Sequence, residues 1–502
     1  MGTYILAHDL GTTNHKCTVF CQDGEFIASS SCTYPTFYEK EGIAEQDPYH
    51  WWRNVVLTTK KVLSSISPSE IAVITFSGHM NGCLPIDAEG TPLYRSIIHA
   101  DSRSSQFEHE VFQKIDEDNL YRLTGNRIDS HYTLMKMYWL RKREPDLFKK
   151  VAYFLQAKDY LAYKMTGTLG VTDYSDASLT GTLNLSKKVW EELIFSELDL
   201  DVKKMPDIVA STEVVGYVSQ KAAYETGLLE GIPVVIGGGD GACATIGAGC
   251  VNKGEMYINL GTTAWVSKVT DLPFIDPKKR VFNLCDLNPK YYNVLGTMQT
   301  AGAAYEWAMK QFSTITDWST LEVDLEFEQF EQQLKKVPAG SNGIMCHPYL
   351  LGERSPVWND SIRGSFFGLS LANNRFDLVK VVLEGVSLSL ASIAEILNDK
   401  QMVNEVKLIG GGARSKVLIE ILSDVLQLSV QLNHKTSEAT SLGAAIAGGV
   451  GIGMYSSFEE ADHLIKKGER QDPHKERASL YQNRLSVFKT LYEQVKDIHI
   501  VS

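Results

Sequence analysis

Two acidic residues and a turn that occurs twice carry most of the chemistry this sequence could perform. Asp240 follows three glycines in Gly237-Gly238-Gly239-Asp240-Gly241. The preceding run, Pro233–Gly237, reads as a strand, and the small residues from Ala242 to Gly249 read as a closely packed helix. Bare backbone would let a substrate hydroxyl approach this carboxylate. A helix N-terminus favours the anion, so Asp240 is expected to stay ionised and serve as a general base. The plainer reading is a structural N-cap. Asp9 opens Asp9-Leu10-Gly11-Thr12-Thr13, and 250 residues later the phrase returns as Asn259-Leu260-Gly261-Thr262-Thr263. Glycine permits a tight turn, and threonine hydroxyls beside freed backbone N–H groups suit phosphate oxygens. Asp9 could join a Mg²⁺ shell, because magnesium takes one or two carboxylates together with substrate phosphates. Asn259 replaces it in the second copy. The halves are therefore expected to divide their tasks, metal in the first and nucleotide in the second.

Glycine turns are expected after strands at 11, 237–239, 261 and 410–412. Any one alone is an ordinary packing device, but four in a duplicated chain point to polyphosphate binding. No G-x-x-x-x-G-K-[ST] loop occurs, and no G-x-G-x-x-G follows a strand, so the commoner nucleotide fingerprints are missing. His79-Met80-Asn81 and Asp101-Ser102-Arg103 place short polar groups at strand ends, as a polyol site requires. Each could equally be a satisfied loop.

The elements that must position these residues follow from periodicity. Residues 4–34 alternate as a meander with a turn at Gln22-Asp23-Gly24. Asp47-Pro48 reads as an N-cap with proline at the first helical position, and Trp52, Val55, Val56, Thr59 and Leu63 give that helix one apolar face. Ile71–Phe76 and a segment near Tyr94–Ile98 read as strands, and 104 to about 205 as mostly helical. Lys407-Leu408-Ile409 opens into Gly410-Gly411-Gly412-Ala413 ahead of another helix. Tyr481, Leu485, Phe488, Tyr492 and Val495 form a terminal stripe for packing. Strands followed by helices imply α/β domains with function at strand ends. The echo sets the expected boundary at 246–253, giving domains 1–246 and 253–502.

With 44% hydrophobic and 22% charged residues, the 502-residue chain is globular and long enough for two domains. Its net charge of −12 argues against nucleic acid or an anionic membrane as main partner. Eight cysteines without metal-binding spacing read as reduced thiols. No basic leader or apolar run of about 18 residues is present, so a cytoplasmic chain without membrane contact is expected. The oligomeric state is open, a homodimer being allowed.

These motifs resemble the FGGY family of carbohydrate kinases, most closely its xylulokinase branch, from residue 4 to about 450. The residues that carry the resemblance are Asp9 to Thr13, Ser77-Gly78-His79-Met80-Asn81-Gly82, Ile97 to Arg103, and Thr133, Lys136, Met137, Trp139 and Leu140. Thr172 to Ser178, Pro348 to Pro356, and Gly364, Phe366, Gly368, Leu369, Asp377, Leu378 and Glu384 extend it. The resemblance implies two ribonuclease-H-like domains of the actin and hexokinase type flanking a catalytic cleft. It implies ATP and Mg²⁺, with Asp240 as catalytic base. Asp9 and Asp240 would lie at the metal, and Gly11, Thr12, Thr13, Gly261, Thr262, Gly302, Gly411, Gly412 and Ala413 at the nucleotide. His79, Met80, Asn81, Asp101 and Asp240 would line the sugar pocket. The chain departs from the xylulokinase pattern at His79, Asn81, His99 and Gly241, where substrates are chosen.

The resulting expectation is ATP-dependent phosphorylation of a sugar hydroxyl, D-xylulose first. Erythritol, ribulose, gluconate or glycerol remain as other acceptors. A non-enzymatic actin- or chaperone-like nucleotide switch is the rival from another class, and would need neither Asp240 nor the polar loops.

Overall fold

Tyr4–Leu10 (β1) and Asn14–Cys21 (β2) form a hairpin buried largely on both faces, extended by Phe26–Thr33 (β3), where burial alternates as the meander predicts. The computed structural model describes residues 3–40, 42–312, 323–398, 403–433 and 438–498. A short strand, Glu45–Gln46 (β4), leads into the helix Pro48–Val62 (α1). As expected, Asp47 caps α1, accepting from the Tyr49 N–H at 2.9 Å, with Pro48 at the first position. Next come Ile71–Gly78 (β5), the helix Ala157–Thr166 (α2), Val214–Tyr217 (β6), Pro233–Gly239 (β7) and the helix Asp240–Gly247 (α3). Residues 104–205 are helix-rich but broken by short strands, and only Ser96–Ile97 of the segment near Tyr94 pairs as a strand.

The second half repeats the opening with Met256–Leu260 (β8) and Ala264–Thr270 (β9), then Phe282–Cys285 (β10) and Tyr292–Met298 (β11). Helices Gly302–Phe312 (α4) and Arg375–Leu397 (α5) precede Glu405–Ile409 (β12), Lys416–Leu426 (α6) and Ser429–Asn433 (β13). Ala439–Gly451 (α7), Lys467–Gln471 (β14) and Ala478–Val495 (α8) complete it. Tyr481, Leu485, Phe488 and Tyr492 of α8 are buried, as the stripe predicts.

One sheet has the order β6-β7-β5-β1-β2-β3 and the other β10-β11-β9-β8-β12-β13-β14. In each, a hairpin carrying the glycine–threonine turn lies beside two parallel strands and an antiparallel edge strand. The duplication read from ten residues is thus a duplication of topology.

The chain forms two compact units. The first comprises 1–253, 269–294 and 438–465; the second comprises 254–268, 295–437 and 466–502. In the first unit, Leu6, Val19, Ile74, Phe76, Val234 and Ile236 meet Trp51, Val55 and Leu161 of α1 and α2 in one core. Strand alternation sends Ile5 and Thr75 to the other face, where α7 lies. Helix α7 also crosses α3 without side chains between them. A Cβ on Gly443 would sit 1.9 Å from the Cys243 carbonyl, and one on Gly247 would sit 1.7 Å from that of Ala439. In the second unit the long helix α5 is buried along nearly its whole length. Its Glu384 accepts from the Arg484 guanidinium and the Tyr481 hydroxyl of α8.

Candidate active site

In the first unit β1, β5 and β7 are parallel and end in register, Leu10 beside Gly78 and Gly78 beside Gly239. Three strand ends therefore deliver Asp9, the 77–82 loop and Asp240 to one edge, where open α/β sheets bind their ligands. The glycines at 237–239 are not a turn after the strand, as expected, but its last residues. The register of β7 against β5 slips between Val235 and Gly238, and Gly237 takes a φ of +68°. A Cβ there would lie 1.8 Å from the Phe76 carbonyl, so only glycine lets the strands close.

Asp240 is the first residue of α3, and Gly239 occupies the cap position, so the plain N-cap reading fails. Its Oδ1 accepts only the N–H of Gly241, at 2.8 Å. Burial and the nearby Asp9 carboxylate push its pKa up to about 7. That corrects the expectation of a helix terminus holding it ionised: one short helix end does not offset lost hydration plus a like charge. A carboxyl titrating near neutrality suits a general base. Asp9 is likewise raised, by burial, with the Ser77 hydroxyl and then Lys16 opposing, and its buried Oδ1 lacks a well-formed hydrogen bond. A carboxyl that feels the charge of a second one, and a buried carboxylate oxygen without a hydrogen bond, fit a divalent cation.

Gly11 and Thr12 are half-exposed and Thr13 exposed at the hairpin tip. His79 continues β5 and donates its N–H to the Leu10 carbonyl at 2.9 Å. Its ring is buried and stays neutral, its pKa pushed down to about 4 by burial and then by Lys136; neither ring nitrogen has a partner. Met80 packs its thioether over Gly239, where a Cβ would meet it at 2.4 Å. Asn81 takes a φ of +61° with Oδ1 buried and unpartnered. Asp101 differs from these. Its carboxylate is held by Arg103 through Nε and Nη2, by the Arg103 N–H and by the Ala44 N–H at 2.6 Å.

In the second unit, Gly261, Thr262, Gly302, Gly411 and Gly412 line one cavity of about 430 Å³. Ala413 lies in the same 411–414 turn without lining it. Composition alone did not reveal Tyr305, Phe327 and Arg414, which supply the apolar and cationic walls. Glu331 braces the cavity from behind, accepting from Tyr305, Ser415 and the Val417 N–H at 2.8, 2.7 and 2.9 Å. Gly302 is required by closeness, since a Cβ would lie 2.4 Å from the Gly261 carbonyl. Sequence reasoning also missed the support under Asp240. The buried Lys158 pairs with Asp159, Asp173 and Asp176, and Asp173 orients Ser175, which accepts the Gly239 N–H at 2.8 Å. Its signal was Thr172 to Ser178, noticed only as part of the resemblance.

Family models describe both halves. The N-terminal domain of the FGGY family of carbohydrate kinases matches residues 4–247, and its C-terminal domain matches 256–452. The chain is 31% identical over 500 residues to the xylulose kinase of Bacillus subtilis, covering 99% of this chain and 98% of that one. It is 29% identical to the gluconokinase of the same organism, with 99% and 98% covered. Among solved structures, the xylulose kinase of Rhodospirillum rubrum superimposes with a TM-score of 0.89 at 26% identity, with 98% and 99% covered. The gluconate kinase of Lactobacillus acidophilus gives 0.91 at 24%, with 99% of each covered, a likeness of fold. Among the described residues no helix is long and apolar enough to cross a membrane. With both domain models matched and the α/β architecture shared, this chain belongs to the FGGY family of carbohydrate kinases and is an enzyme that takes ATP as co-substrate.

Proposed function

We propose that the chain transfers the terminal phosphoryl group of ATP to a hydroxyl of D-xylulose or a closely similar pentulose, with Asp240 as general base. The observation that carries this reading is the Asp240 carboxyl at the shared end of three parallel strands, its pKa pushed up to about 7. Poised there, it accepts the hydroxyl proton as the bond to phosphorus forms. The transition state is loose, so holding the hydroxyl in line outweighs base strength. In the first unit the turn at 11–13 cradles the terminal phosphate beside Asp240; in the second unit the cavity lined by Gly261, Gly302 and Gly411 is a nucleotide-binding pocket. Asp9, with Asp240, would hold Mg²⁺, which when bound neutralises phosphate charge. The two raised carboxylates support that assignment.

The chemistry of the 77–82 loop favours an uncharged acceptor. His79 is a neutral imidazole and Asn81 a neutral amide, both with spare hydrogen-bonding atoms. Of the two nearby cations, one is paired with carboxylates and the other is only partly charged at neutral pH. Lys136 donates to the Asn81 and His131 carbonyls, and burial lowers its pKa to about 7. Arg103 is held by Asp101 and Glu45. A sugar acid's carboxylate would find only the partly charged Lys136 there, whereas ketose hydroxyls match the neutral groups. The named xylulose kinase relatives agree with this choice, and the gluconokinase relatives supply its competitor. The test is acceptor-dependent ADP release across D-xylulose, D-ribulose, erythritol, glycerol and gluconate. Turnover is expected to be greatest with D-xylulose. Fast turnover with gluconate and none with ketoses would overturn the assignment, and nucleotide hydrolysis indifferent to every acceptor would favour a switch.

A further inference from the structure

The two glycine–threonine turns present the same pair of carbonyls inward, and the molecule satisfies them in two different ways. In the second copy the backbone does it. Gly302 donates to the Gly261 carbonyl at 2.9 Å, and Ala301 and Ala303 donate to that of Thr262 at 3.0 and 3.1 Å. In the first copy side chains do it: the Tyr34 hydroxyl donates to the Gly11 carbonyl, and the Gln46 amide donates to that of Thr12 at 2.7 Å.

Gln46 is fully buried and all its hydrogen-bonding capacity is directed. Nε2 also donates to the Thr36 hydroxyl at 2.9 Å, while Oε1 accepts the Trp51 indole N–H at 3.1 Å. A flipped amide would set its oxygen against the Thr12 carbonyl and its NH₂ against the indole N–H, so only one orientation serves. The residue ends β4, two residues ahead of α1, and the pairing of Glu45 with Ile97 and of Gln46 with Ser96 fixes the strand. Tyr34 follows β3 and is 7% exposed. Burial, then the carboxylates of Asp9 and Asp240, push its phenol well above the usual range, which keeps it a donor.

We propose that Tyr34 and Gln46 are positioning residues for the terminal phosphate of ATP, the side-chain counterparts of the backbone clamp on the second turn. By drawing the Gly11 and Thr12 carbonyls inward they leave the N–H groups and threonine hydroxyls of the turn facing the phosphate. This rests on the reading of 11–13 as the turn beside Asp240 that takes the phosphoryl group being transferred. Both act through the turn's carbonyls, so both are positioning residues and neither is catalytic.

The test uses the full chain. Binding of a non-hydrolysable ATP analogue with Mg²⁺ and of ADP is measured by calorimetry for wild type, Gln46→Met, Tyr34→Phe and Trp51→Phe, with a thermal melt of each. Gln46→Met and Tyr34→Phe are expected to weaken the analogue about tenfold, the loss of one well-made hydrogen bond, while ADP stays within about twofold. Trp51→Phe keeps both turn-facing donors but takes the indole partner from the Gln46 amide oxygen, so it should lower the melting temperature while leaving the ratio of the two affinities near wild type. A destabilised but otherwise unaffected turn would lower the melting temperature without changing the ratio of the two affinities. The proposal is overturned if that ratio is unchanged in both Gln46→Met and Tyr34→Phe, or if both ligands weaken equally. Should Gln46→Met fail to fold, Tyr34→Phe, which removes a single oxygen, decides. Failure of the kinase assignment appears separately, as a wild type whose ADP release no acceptor stimulates.

Discussion

Asp240 carries the proton transfer, and its environment sets when it can act. Asp240→Asn keeps size and polarity but cannot accept a proton, so kcat is expected to fall by ~10²–10⁴ while ATP binding survives, as calorimetry can check. In the wild type, kcat/KM should fall on the acid side of about pH 7 as the carboxyl protonates. A second acid gives a stability test away from the reaction. Glu353 is fully buried, accepts the N–H groups of Gln299 and Arg354 at 2.8 Å, and has its pKa pushed up to about 8 by burial. Its folded pKa lies above the unfolded value of about 4.3, so its contribution is fully present below about pH 4 and is lost as pH rises through 8. Glu353→Gln keeps both acceptor contacts without the titration. Its melting temperature should match wild type at low pH and exceed it by pH 9. Asp9, Gly261 and Asp240 were legible because their spacing was unusual. Tyr34 and Gln46 were not, because their role depends on which carbonyl lies opposite, and nothing in the local sequence encodes that.

Elements were legible where local chemistry decides them and obscure where a neighbour does. The Asp47-Pro48 start of α1 follows from capping alone. The slip in β7 does not, because its cause is the Phe76 carbonyl on the adjacent strand. The crossing of α3 and α7 shows what such contacts require. Gly443→Ala would drive a methyl group into the Cys243 carbonyl, and overpacking of this kind costs ~1–3 kcal/mol or more. Gly448→Ala on the same helix meets Thr75 at 3.1 Å and should cost less. Urea denaturation of the two variants compares them directly; equal stabilities would mean the helices can separate without loss.

The repeat that revealed two similar halves did not show that they interleave. Segments 269–294 and 438–465 belong to the first unit although they follow the second glycine–threonine turn. No composition shift marks those crossings, since α7 is small and apolar like any packed helix. A chain ending at residue 437 lacks β14 and α8 of the second unit as well as α7, and the loss of α7 leaves uncovered the sheet face of the first unit around Ile5 and Thr75 together with α3. It should bind a hydrophobic dye and lose near-ultraviolet dichroism from the first unit; a rigid, dye-silent product would contradict this packing.

The late position of α7 also sets an order of events during biosynthesis. Strand β1 leaves the ribosome more than four hundred residues before the helix that seals its far side. The amino-terminal half must therefore wait, incompletely covered, until more than four hundred further residues have been made. Contacts of such long range close slowly, and exposed apolar surface invites misassociation in the interval. A cell making this enzyme rapidly would place its heaviest demand on chaperones at the start of the chain rather than at its end.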